Sequence, residues 1–170
     1  MNILTTTLGK KRVVIVSAVM TIVMFIIVMG IINPMIDGSN GMGVLALQLA
    51  FDKALGIEII QSWGERGAES FRFLILADYL YAICYSIFFA SLLSRLIIQH
   101  SKVNQSLLFI PFIAGLFDWI ENTMEILFMS NPMEFSETLF FIHSIVASLK
   151  WVTLPVVLAF ILKFNIKSKI

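Results

Sequence analysis

The stretch Phe117-Asp118-Trp119-Ile120-Glu121-Asn122 sets two carboxylates and an amide inside a segment otherwise apolar enough to cross a membrane. Ionisable groups at that depth are costly, and as a rule they face a helical interior, water or one another, which marks a site. Asp78, Glu125, His143 and Lys150 also lie in long apolar runs. Glu125 falls close enough to a helix end for water to be expected around it. Three carboxylates (Asp78, Asp118 and Glu121) then still face the single ammonium of Lys150. At least one of them must hold a proton, pair with His143 as imidazolium, or meet water or a ligand. A carboxyl that exchanges a proton near neutral pH serves acid–base catalysis or proton-coupled work.

Helical spacing gathers these groups. Pro111, Gly115, Asp118, Asn122 and Glu125 fall at i, i+4, i+7, i+11 and i+14, one stripe of a helix, with Glu121 beside it. His143, Ala147, Lys150 and Leu154 form a second stripe, with Ser144, Ser148, Trp151 and Pro155 adjacent to it. Asp78, Tyr81 and Tyr85 stack on a third helix beside Ala82. Small residues near the polar ones (Ala82, Ala114, Gly115, Ala147, Ser148) let helices approach closely. The expected polar pocket therefore comprises Asp78, Tyr81, Tyr85, Asp118, Glu121, Asn122, His143 and Lys150. A structural reading stands beside it, in which Lys150 and Asp118 are a buried ion pair holding two helices in register, and Asp78 meets Tyr81 or His143.

Several chemistries are excluded. No Gly-rich dinucleotide or phosphate loop, GxSxG, HExxH or CxxC occurs. His100 and His143 are the only histidines and lie far apart, so a bis-histidine haem is ruled out and no cofactor is expected. A metal could use only carboxylates with His143, at no recognised ligand spacing, and none is assigned. The lone cysteine, Cys84, forms no intrachain disulfide. Without basic runs interleaved with aromatics, nucleic acid is not a partner.

The elements that must position these residues follow from composition. Of 170 residues 59% are hydrophobic and 14% charged, and the mean hydropathy is +0.93. Soluble domains carry about 25% charge, so the expected solvent is mostly lipid. A membrane-crossing helix needs about 20 apolar residues, and four segments reach that length: 13–32, 71–98, 106–129 and 138–162. The fold class expected is an all-α membrane protein, four transmembrane helices in a bundle, forming a single membrane domain over 1–170. Lys10, Lys11 and Arg12 precede the first run, but it is long and ends in Gly30-Ile31-Ile32-Asn33-Pro34 without a cleavage pattern, so it reads as an uncleaved span.

Charge orients the spans. Lys10, Lys11, Arg12, Arg95, Lys102, Lys163, Lys167 and Lys169 share one side with no acid among them. The other side holds Asp37, Asp52, Glu58, Glu65, Glu69, Glu134 and Glu137 against Lys53, Arg66 and Arg72. Positive residues mark the cytoplasmic face, which predicts an inner (plasma) membrane protein with both termini cytoplasmic. At about 1.5 Å per residue, Asp78 then lies roughly 10 Å and His143 roughly 8 Å below the outer surface, with Lys150 and Asp118 nearer the middle. The long first loop opens with the turn cluster Asp37-Gly38-Ser39-Asn40-Gly41. Leu45, Leu49, Leu55, Ile59 and Trp63 then give 44–63 an amphipathic helical pattern, read as lying on the outer surface with a break at Gly56. A plain connector folded onto the helix ends is the other reading.

Trp63-Gly64 before the second span, Asp78 followed by Tyr81 and Tyr85, Ala114-Gly115-Leu116-Phe117-Asp118-Trp119-Ile120-Glu121-Asn122, and Lys150 in the fourth span together resemble small bacterial four-span membrane proteins of no assigned activity. The likeness covers about 50–151 and implies no chemistry. Acids, Trp and Asn in a helical pocket are also similar to emopamil-binding-type sterol isomerases. The chain lacks their His-plus-Glu pair on one helix and a fifth span, so that activity is not carried over.

Three functions remain in play. One is a protein, or an accessory subunit, whose acid-rich pocket binds a small amphipathic or cationic ligand. Another is a lipid-modifying enzyme with Asp118 or Glu121 as acid or base, Lys150 on an anionic headgroup and His143 as proton shuttle. The last is a proton-coupled transporter, which with four spans and no internal repeat requires a homo-oligomer. Membrane lipid is a partner in each.

Overall fold

The computed structural model describes residues 3–36, 43–99 and 104–167, the last four by backbone only. The Asp37–Gly41 turn cluster, His100, Lys102 and Lys169 lie outside the described residues. All regular structure among the described residues is helical. Four helices are long and apolar enough to cross a membrane. They pack in chain order, each on the next, and the second also touches the fourth.

A short helix α1 (Ile3–Leu8) folds against the last turns of the second long helix. The first long helix, α2 (Lys11–Ile36), runs past the polar break expected at Asn33-Pro34. It does so by widening into a π turn over Ile26–Ile32, where the Asn33 N–H reaches back to the carbonyl of Val28. Pro34 has no N–H to donate, and its ring would press on the Gly30 carbonyl in a regular helix. One extra residue in the turn relieves that register, as π turns commonly do.

The first loop departs most from expectation. It is neither one surface helix nor broken at Gly56. A single helical turn, α3 (Val44–Gln48), is followed by an irregular step in which Phe51 takes a left-handed φ of 56°. The long helix α4 (Lys53–Gln99) then begins with Asp52 capping the Leu55 N–H at 2.9 Å. Gly56 stays helical, and its lack of a Cβ makes room for the Phe140 ring. The true break is Gly64, at φ 64° and ψ −176°, a region essentially confined to glycine. It separates the first turns of α4, residues 53–63, from the long apolar part that follows.

Moreover, α3 turns one face inward: Val44, Leu47 and Gln48 are buried, while Leu45 stays exposed. Gln48 is buried and accepts a hydrogen bond from Trp151 Nε1 at 3.0 Å. The Phe51 N–H donates to Ser144 Oγ at 3.1 Å. Both partners sit well inside the last long helix, so residues 43–52 dip between the helices and return to the acidic end, where Lys53 Nζ meets the Met133 carbonyl at 2.9 Å.

The third long helix, α5 (Gln105–Ser130), opens in a 3₁₀ turn capped by Asn104, with Pro111 just inside its regular part. The fourth, α6 (Glu137–Lys167), is capped by Ser136, whose Oγ accepts the Leu139 N–H at 3.1 Å. Gly115 sets the spacing of α4 and α5, since a Cβ on it would run into Ser86 Oγ. Ser86 in turn donates to the Pro111 carbonyl at 2.9 Å. Apolar side chains cover the outside of the helices, and only 17% of the most apolar stretch of α2 is buried.

Candidate functional site

Two apolar layers enclose the polar groups. Towards the acidic end, Val44 and Leu47 of the inserted turn pack with Ile59, Trp63, Phe71, Phe128 and Phe140. Towards the basic end, Ala82, Tyr85 and Ala114 close against Leu154. Between them lie Asp78, Asp118, Glu121, Asn122, Glu125, His143 and Lys150, each 7% exposed or less.

The helical stripes place them face to face. Lys150 Nζ donates to Asp118 Oδ1 at 3.0 Å and lies 2.8 Å from Glu121 Oε2. The second contact is an ion pair without hydrogen-bond alignment. Asp118 Oδ2 accepts the Tyr85 hydroxyl at 2.9 Å. Asn122 Nδ2 donates to Asp78 Oδ2 at 3.2 Å, and Asp78 also adjoins Asp118. His143 Nε2 stands 3.4 Å from Glu125 Oε1, long for a hydrogen bond. The Lys150 ammonium is also 5.4 Å from the centre of the Trp151 ring.

Seven of the eight expected pocket residues thus converge. Tyr81 stands at the edge: it is half-buried and takes part through its ring, 5.3 Å from Tyr85 and 6.3 Å from Phe25. His143 pairs with Glu125 rather than Asp78, whose partner is Asn122. Glu125 itself corrects the sequence reading. It is 1% exposed, not solvated, because Phe128, Phe135 and Phe140 close over that end of α5. The signal that could have revealed it is the four-residue spacing of Glu121 and Glu125, which stacks two carboxylates one turn apart on the same helix face.

The charges do not balance. Asp78, Asp118, Glu121 and Glu125 are four acids around one lysine, and all are buried. Glu121 Oε1, Asn122 Oδ1, Glu125 Oε2 and His143 Nδ1 have no hydrogen-bond partner. One donor atom each from Glu121, Glu125 and His143 lies within 4.8 Å of the others. Unsatisfied polar atoms inside an apolar shell each cost about 1–3 kcal/mol. Trp119 and Tyr79 stay outside it: the indole donates to the Tyr79 carbonyl at 3.1 Å, and the Tyr79 hydroxyl meets Thr123 at 2.7 Å. No family model matches this chain, and no curated protein or solved structure shows a significant similarity to it.

Proposed function

We propose that the chain is a multi-pass inner-membrane protein, a four-helix bundle with both termini cytoplasmic, that binds a small cationic ligand in its intramembrane acid layer. The observation that carries this reading is the excess of carboxylates. Four acids and one ammonium share a layer walled off by apolar residues, with carboxylate oxygens left unpartnered. Burying uncompensated charge is costly, and a bound cation removes that cost.

Outward-facing apolar side chains on all four long helices support insertion in lipid. The basic end (Lys10, Lys11, Arg12, Arg95 and Lys163) supports a cytoplasmic assignment for both termini. Entry from the outside fits the position of the inserted turn, which lies over the layer as a short plug. A groove of about 460 Å³ lined by Arg12, Val16, Ser17, Met20, Cys84 and Ile87 suits an acyl chain with its headgroup near Arg12, so membrane lipid remains a partner on the outer surface of the helices.

The test is thermal unfolding of the purified protein in lipid nanodiscs with tetraethylammonium, spermidine and Mn²⁺, each compared with a neutral solute. A cation present at about 100 times its Kd stabilises by about 2.7 kcal/mol. The expected result is a rise in melting temperature with at least one cation, reduced in Glu121→Gln. Equal melting in all solutes would refute the reading.

A further inference from the structure

We infer that Glu121, Glu125 and His143 form a binding site for one divalent transition-metal ion. This rests on the cation-binding reading above and names the cation.

The argument begins with geometry. Glu121 and Glu125 lie one turn apart on α5, and His143 faces them from α6. One donor atom from each already falls within 4.8 Å of the other two. Around a tetrahedral ion with bonds of about 2.0–2.2 Å, donors stand roughly 3.3–3.6 Å apart. Small side-chain rotations close that gap.

The unpartnered atoms are an independent sign. Glu121 Oε1, Glu125 Oε2 and His143 Nδ1 all lack a partner, in residues 0%, 1% and 2% exposed. His143 spends its other nitrogen on a contact of 3.4 Å to Glu125, too long to hold the ring firmly. Three buried side chains, each with a polar atom that lacks a partner, are what an empty ligand set looks like. Two carboxylates with one imidazole suit Zn²⁺, Mn²⁺ or Fe²⁺, whereas all-oxygen sets suit Ca²⁺ and Mg²⁺.

The surroundings fit a second shell. Lys150 holds Glu121 through Oε2, and Asp118 shares the same ammonium. That contact orients Glu121 and leaves Oε1 for the ion. With all four acids ionised, a divalent charge also reduces the layer's uncompensated negative charge from three to one, counted against Lys150. The remaining acid, Asp78, lies against Asn122 and Asp118 and is not one of the three clustered donors.

The experiment uses the full chain in detergent, stripped with chelator and titrated with Co²⁺, whose visible absorption reports coordination. The expected result is one Co²⁺ per chain, displaced by Zn²⁺. Affinity should fall roughly 100-fold or more in Glu125→Gln and in His143→Gln, and stay unchanged in the exposed Glu65→Gln. Absence of Co²⁺ binding, or equal binding in the Glu125 and His143 variants, overturns the site. Should those variants fail to fold, a His100→Gln protein keeps His143 as its only histidine. Bound Mn²⁺ in that protein must show one coupled nitrogen by electron spin-echo spectroscopy, and none overturns the site. Stabilisation by tetraethylammonium or spermidine without metal binding removes the metal while leaving the broader reading. No effect of any cation removes both.

Discussion

Replacing Lys150 by methionine is the sharpest probe of the acid layer. The ammonium serves two carboxylates at once, Asp118 at 3.0 Å and Glu121 at 2.8 Å. With an effective dielectric of about 20, each contact contributes roughly 5–6 kcal/mol before desolvation is counted. Lysine desolvation offsets much of this, and removing one partner of a buried pair leaves a net cost of about 3–5 kcal/mol. Two orphaned carboxylates put Lys150→Met at the upper end of that range, nearly four powers of ten in the unfolding constant at about 1.4 kcal/mol per tenfold.

Second substitutions divide the cost. Adding Asp118→Asn keeps an acceptor for the Tyr85 hydroxyl and removes one orphan, so about half the loss returns. Adding Glu121→Gln as well restores most of the remainder. The assay is reversible unfolding in mixed micelles of mild detergent and dodecyl sulfate, following helical circular dichroism. Full recovery with Asp118→Asn alone would show that Glu121 is not a partner of Lys150. Wild-type stability in Lys150→Met would refute the buried-pair argument altogether.

Other positions test the frame around the layer. Gly64→Ala forces a side chain into backbone angles it rarely adopts and should cost about 1–3 kcal/mol in the same unfolding assay, whereas a cost near zero would mean the kink relaxes freely. Gly115→Val drives a branched side chain into Ser86 and should cost about 1–3 kcal/mol by overpacking, with Ser86→Gly recovering part of it if that contact is the cause. Because Cys84 is the only cysteine, Cys84→Ser gives a clean background for labelling. In intact cells Glu65→Cys should react with a membrane-impermeant maleimide, while Leu47→Cys (Leu47 is 0% exposed) and Lys163→Cys, on the side proposed to be cytoplasmic, should not. Rapid labelling at position 47 would place α3 on the surface after all. Gln48→Leu leaves the Trp151 indole unpaired and should cost about 1–3 kcal/mol, read as faster labelling of Leu47→Cys.

Much of the site is legible in the sequence because helical periodicity is a local property. The Pro111 to Glu125 stripe and the His143 to Lys150 stripe follow from residue spacing alone, and both face the interior. The same holds for four long apolar segments and for the separation of basic from acidic ends. Other features depend on contacts between distant parts of the chain. Glu125 looked solvated when its depth was counted along α5, because that count cannot see Phe135 and Phe140 folding over it. Gly56 looked like a breaker, yet the Phe140 ring explains its lack of a Cβ, and the break fell at Gly64.

By itself, then, the sequence determined the number of long apolar helices, their charge asymmetry and the faces that carry the acids, since each depends on composition or on the 3.6-residue repeat. Only the tertiary structure decided that α3 inserts between the helices, that Lys150 divides itself between Asp118 and Glu121, and that His143 meets Glu125. Those outcomes depend on how α4, α5 and α6 are rotated and shifted against one another. Gly115, the Ser86 hydroxyl and the aromatic layer set that fit, and no periodicity within a single segment encodes it.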